Sequence, residues 1–238
     1  MAKKTRTPAP PRKVQAPQRR SDPKRPRTGS GSRGWLWIVL AALVVAAAIG
    51  GGAYFFTRGG NDVATPKVPT NSNLVGLQVG QAPWNAGLDT LPDRLGPLGL
   101  NDLTTEGQVV HIHQHLDVFV NGKHEPVPAN IGIDQNTQFL ASLHTHDTTG
   151  VIHMESVQPY KFKLGQFFDV WGVKFTDTQL GAFHPNTAQN LVLQTWVNGK
   201  QIPDPVNYVM KPHDKIVVGF GEPGSFPKTS KFKFPAGE

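Results

Sequence analysis

The sequence predicts an α+β fold rich in β: a single antiparallel-sheet domain with one short amphipathic helix, preceded by one transmembrane helix. Three observations carry this reading. Apolar and polar residues alternate with period two from His111 to Val120, the mark of a half-buried strand. The pattern around Asn121-Gly122, a strong hairpin signal, recurs around Asn198-Gly199. Finally, 22 residues from Trp35 to Phe56 pass without a charge.

The chain of 238 residues carries a formal net charge of +7, but unevenly. Residues 1–34 hold eleven Lys or Arg against one acid, Asp22, which puts about +10 in this tail and leaves −3 for the remainder. The tail is rich in Pro, Gly and Ser and poor in apolar groups, so disorder is expected. Its charge orients the chain at a membrane and gives no ground for a specific nucleic-acid partner. Residues 35–56 are long enough to cross a bilayer as a helix, with Trp35, Trp37, Tyr54, Phe55 and Phe56 suited to the two interfaces. A cleaved signal peptide is the competing reading, but the apolar run is long for one. With the basic flank inside, the protein is expected to be single-pass in the cell membrane, residues 57–238 being extracytoplasmic.

Residues 57–81, polar and punctuated by Pro66 and Pro69, read as a flexible stalk, and residues 82–238 as the extracytoplasmic His-rich β domain. Leu88 to Leu95 forms a helical turn or two, with Pro92 in an early position and Gly96-Pro97 ending it. In the first strand Ile112, Leu116, Val118 and Val120 share one face, and His113, His115, Asp117 and Phe119 the other. Lys123 to Val127 returns after the turn. The segment Leu116 to Pro128 matches Leu193 to Pro205 at the Leu, aromatic, Val-Asn-Gly-Lys and proline positions, so the hairpin is an architectural repeat. Only the first copy carries histidines. Thr148-Thr149-Gly150 reads as a turn and Val151 to Glu155 as a strand. Apolar residues at 164, 167, 168 and 171 have helical spacing. Tyr208 to Met210 and Lys215 to Phe220 close the domain as a further hairpin or strand pair joined through Pro212-His213-Asp214.

Seven of the nine histidines fall between His111 and His153. On a strand, residues two apart project from one face at about 6.5–7 Å intervals, so two of His111, His113 and His115 can lean onto one ion. The third then orients a ligand or serves a second ion. His144, His146 and Asp147 add a His-x-His pair with a carboxylate, and His153 and Glu155 share a face of the next strand. Packed side by side, these segments make a site of three or four histidines with Asp147 or Glu155 nearby. Such a set suits Zn or Cu better than Ca or Mg. The bland alternative is a hydrogen-bonded His/Asp network that fixes loops without metal; a pH sensor is a further one. His124, His184 and His213 read as surface residues, and Met154 as core.

The absence of cysteine excludes disulfides, thiolate zinc sites, blue-copper centres and thiol enzymes. His-Glu-x-x-His, Gly-x-Ser-x-Gly and phosphate-loop motifs are absent, and no organic cofactor is evident. The leading expectation is therefore binding or handling of a transition metal rather than catalysis. A metal-dependent hydrolase and a partner-docking module are the alternatives.

Four long motifs carry a resemblance: His111-Ile-His-Gln-His-Leu-Asp-Val-Phe-Val-Asn-Gly-Lys123, Val127-Pro-Ala-Asn-Ile-Gly-Ile133, the stretch from Leu143 to Ser156, and Leu164-Gly-Gln-Phe-Phe-Asp-Val-Trp-Gly172. Over roughly residues 82–222 the chain resembles a family of membrane-anchored extracytoplasmic bacterial and archaeal proteins of uncharacterised activity. The resemblance implies an anchored exported domain and leaves the chemistry to the residues.

Overall fold

The computed structural model describes residues 74–100, 103 and 109–235. The basic tail over 1–34, the transmembrane helix expected over 35–56 and residues 57–73 of the stalk lie outside the described residues. Among the described residues no helix is long and apolar enough to cross a membrane.

Residues 74–81 fall in the stretch read as stalk, yet they are bound to the domain. The Gln78 amide donates to the Gly172 carbonyl (2.6 Å), Lys174 returns a bond to the Gln78 carbonyl (3.1 Å), and Leu74 packs against the core. A 3₁₀ turn (Leu88–Thr90) leads into helix α1 (Leu91–Leu98), with Pro92 in its first turn, where its missing N–H is no loss. The expectation that Gly96-Pro97 ends this helix is corrected: both lie inside it, and Gly99 at φ 62° closes it. Gly96 lacks the Cβ that would collide with the following proline ring.

Strands β1 (Val110–Val120) and β2 (Lys123–Glu125) form the first hairpin. A small ribbon of β3 (Ile133–Asp134) and β4 (Phe139–Leu140) precedes β5 (Leu143–His144) and β6 (Val151–Ser156). Helix α2 (Leu164–Trp171) has the predicted span. A second ribbon, β7 (Phe175–Thr176) with β8 (Gln179–Leu180), leads to the hairpin β9 (Val192–Val197) and β10 (Lys200–Ile202), and β11 (Lys215–Gly221) comes last. Both hairpins turn on Asn-Gly pairs at positive φ, 51° and 80° in the first and 52° and 80° in the second. Two successive left-handed residues give the turn the twist of its strands, and Asn-Gly tolerates them best.

The seven-stranded sheet has the order β10-β9-β11-β1-β6-β5, with β2 also on β1. It is mixed, not purely antiparallel: β11 runs parallel to β1, Leu116 opposite Ile216 and Val120 opposite Phe220, and antiparallel to β9. Hydrophobic periodicity carries no strand direction, so this pairing was invisible to it. The expected Tyr208–Met210 partner for β11 is also corrected. That segment docks before α2 instead, where Leu164 donates to the Tyr208 carbonyl (2.9 Å) and Met210 to the Phe162 carbonyl (3.0 Å).

One face of the sheet meets the helices. Ile112, Leu116, Val118, Met154, Ile216 and Val218 are buried with Phe167, Phe168 and Trp171 of α2. Each such side chain contributes about 1.5–3 kcal/mol of transfer free energy. Arg94, wholly buried, donates to the carbonyls of Asp169 (2.8 Å) and Val170 (3.0 Å) at the end of α2 and of Gly87 (2.6 Å), and so ties the two helices together. The opposite face carries the histidines, and the C-terminal segment lies across it. Phe226 occupies the space a Cβ at Gly219 would fill, the Lys228 ammonium sits 4.8 Å over the Trp196 ring, and Phe232 stacks on His115.

Candidate metal centre

Pairing of three neighbouring strands builds a row of imidazoles. His144 on β5 faces His153 on β6, and His153 faces His113 on β1. One step along, Glu155 on β6 faces His111 on β1. Strands lie about 4.8 Å apart, so side chains in one row need only lean to converge.

They do converge. His113 Nε2 lies 3.1 Å from His153 Nδ1, and His144 Nε2 lies 3.2 Å from His146 Nε2. Two nitrogens on one ion at bonds of about 2.0–2.1 Å sit about 3–3.5 Å apart, so both contacts have ligand-pair separations. The donor nitrogens gather into two trios, His111/His113/His153 and His144/His146/His153, each able to hold a metal ion. Glu155, with no exposed surface, places Oε1 3.4 Å from His111 Nε2, 3.7 Å from His144 Nε2 and 4.0 Å from His153 Nδ1.

Burial keeps three of these rings, His113, His144 and His153, neutral. Burial, with repulsion from His111, His213 and His146, holds His113 down at about 4. Burial likewise lowers His144 to about 4, opposed by its bond to the Ala141 carbonyl and reinforced by His146, His111 and His113. His153, between both trios, falls to about 2 through burial and then the repulsion of His113, His144, His146 and His111. Neutral imidazole is the ligating form. The Ala141 carbonyl accepts from His144 Nδ1 (2.9 Å), which fixes the tautomer and leaves Nε2 with its lone pair toward the cluster.

Two expected ligands stand outside the cluster. His115 shares the strand face but both its nitrogens are engaged: Nε2 donates to the Thr149 carbonyl (2.8 Å) and Nδ1 accepts from the Ser230 hydroxyl (3.1 Å). Phe232 covers its ring at 4.0 Å and 11°. Asp147 is exposed and turned into its own loop, accepting from the Thr149 amide (2.8 Å) and hydroxyl, which lowers its pKa. The other six, His111, His113, His144, His146, His153 and Glu155, are together. His124 is exposed and pairs with Asp117 (3.0 Å), His184 is exposed, and Met154 is buried in the core.

This face is framed by His213, read from the sequence as a surface residue and exposed here, and by Ser230 and Phe232, which the sequence did not single out. The His213 amide donates to the His113 carbonyl (2.8 Å), and its ring stacks on Phe234 at 4.7 Å. Ser230 and Phe232 hold His115. The signal was the alternation Lys231-Phe232-Lys233-Phe234, which marks an extended segment with one apolar side. A cavity of about 180 Å³ opens beside the cluster, lined among others by His146, His153, Phe232 and Lys233. No family model, no curated protein and no solved structure matches the chain.

Proposed function

We propose that this is a membrane-anchored extracytoplasmic protein that binds or handles a transition metal, Zn or Cu, through its histidine cluster. The observation that carries the reading is the three-strand row His144, His153 and His113, flanked by His111, His146 and the buried Glu155. Five imidazole nitrogens and one carboxylate suit borderline divalent ions, not the hard oxygen-seeking Ca and Mg. The chain has no cysteine, and Met154 and Met210 are buried in the core, so imidazole carries the affinity. Exposure is graded: His144 is buried, His111, His113 and His153 are half-buried, and His146 is exposed. An ion is therefore reachable from solvent at one side and held by protein at the other, as binding and release require.

The membrane part of the reading rests on the uncharged run over 35–56 beside the basic tail. The motif resemblance to anchored exported proteins points the same way. Calorimetric titration of the chelator-stripped full chain in detergent with Zn(II) and Cu(II) tests the metal part. A stoichiometric ion lost in the His144→Ala/His146→Ala double variant is expected. A folded chain with no affinity tighter than micromolar for either ion overturns the reading.

A further inference from the structure

We propose that the cluster is a two-ion centre, with one divalent ion held by His111 and His113, a second by His144 and His146, and His153 and Glu155 between them. This rests on the metal reading above and adds its stoichiometry and internal arrangement. One tetrahedral ion takes four ligands, whereas six donors meet here. The five imidazoles gather into two trios that share His153 alone.

Sheet geometry gives the reason. His113 and His144 stand on strands separated by β6, two strand spacings or about 9.5 Å apart at the backbone. A single ion would have to draw both inward across His153. Two ions, one over the β1/β6 gap and one over the β6/β5 gap, need no such convergence. Their separation would be close to one strand spacing, about 4.8 Å, near the roughly 3.5–4 Å typical of paired sites.

Glu155 is the independent observation. Its Oε1 approaches one imidazole of each trio, His111 Nε2 at 3.4 Å and His144 Nε2 at 3.7 Å. A carboxylate so placed reaches both ions. Four positive charges against this one carboxylate leave a deficit that small solvent anions must fill, and the cavity lined by His146, His153 and Lys233 admits them.

The test is copper loading of the metal-stripped full chain, read by elemental analysis and electron paramagnetic resonance. The expected result is two Cu(II) per chain. Their mutual coupling reduces the ordinary signal to well under two spins and adds a half-field transition. His111→Ala/His113→Ala and His144→Ala/His146→Ala should each retain one copper with an uncoupled spectrum. Should either double variant fail to fold by circular dichroism, the single replacements His111→Gln and His146→Gln carry the same readout. Saturation at one copper, or two coppers without coupling, overturns the paired arrangement and leaves the metal reading standing. A double variant that retains no copper likewise overturns only the paired arrangement, whereas a parent chain that binds no copper overturns both.

Discussion

Replacing His144 by leucine should flatten the acid response of the metal-free protein. His144 has no exposed surface and is held at about 4, against 6.5 for a free imidazole, by burial first. It is a base with a depressed folded pKa. As pH falls through 6.5 the unfolded chain takes up a proton that the folded ring refuses, so stability is complete above 6.5 and declines below it until about 4. At pH 5 the span from 6.5 is worth about 2 kcal/mol at about 1.4 kcal/mol per unit. Asp169 works in the opposite sense. Burial pushes it up to about 7, so the folded chain binds that proton first and gains stability on acidification. The quantity to read is therefore the difference between wild type and His144→Leu, in which Asp169 cancels. Urea midpoints followed by tryptophan fluorescence with chelator present, at pH 7.5 and 5, supply it. Wild type should lose about 2 kcal/mol more than the variant over this interval, with m unchanged. Parallel pH curves for the two proteins would refute the claim that a buried neutral imidazole sits at this position.

Glu155→Gln should weaken Zn(II) binding by about 10–100-fold in calorimetric titration, because it removes the single carboxylate among the imidazoles. His115→Ala should leave metal affinity within about threefold while costing about 3 kcal/mol of stability, since both ring nitrogens serve Thr149 and Ser230 and its ring stacks on Phe232. A loss of Zn affinity comparable to that of His144→Ala would return His115 to the ligand set. Gly122→Ala and Gly199→Ala both strain a residue at φ 80°, at about 1–2 kcal/mol each. Only the former also brings a Cβ to 3.1 Å from the Ser225 carbonyl, so its thermal midpoint should fall further.

Local chemistry made much of this molecule legible in advance. The faces of β1, both Asn-Gly turns and the span of α2 follow from periodicity and turn preference, which act within a few residues. What escaped depends on contacts distant in sequence. The parallel β1–β11 pair joins residues about a hundred apart, and nothing in either strand states its direction. His115 was indistinguishable from His113 by spacing; Ser230 and Phe232, arriving from the far end of the chain, divert it. Asp147 was placed by its carboxylate alone, while the Thr149 amide and hydroxyl compete successfully for that group.

The placement of β11 between the two hairpins bears on how the molecule is assembled. Every donor of the cluster lies within residues 111–155, on strands β1, β5 and β6 or, for His146, just after β5, and these three strands pair with one another without β9 or β11. The strand that joins the two halves of the sheet is the last to be synthesised, and its parallel partner lies far back in the chain, a slow pairing to close. The histidine half can therefore form while the sheet is still open. On the metal reading proposed above, an ion bound at that stage would help to organise β1, β5 and β6 before β11 inserts and so act as a folding aid for the nascent chain.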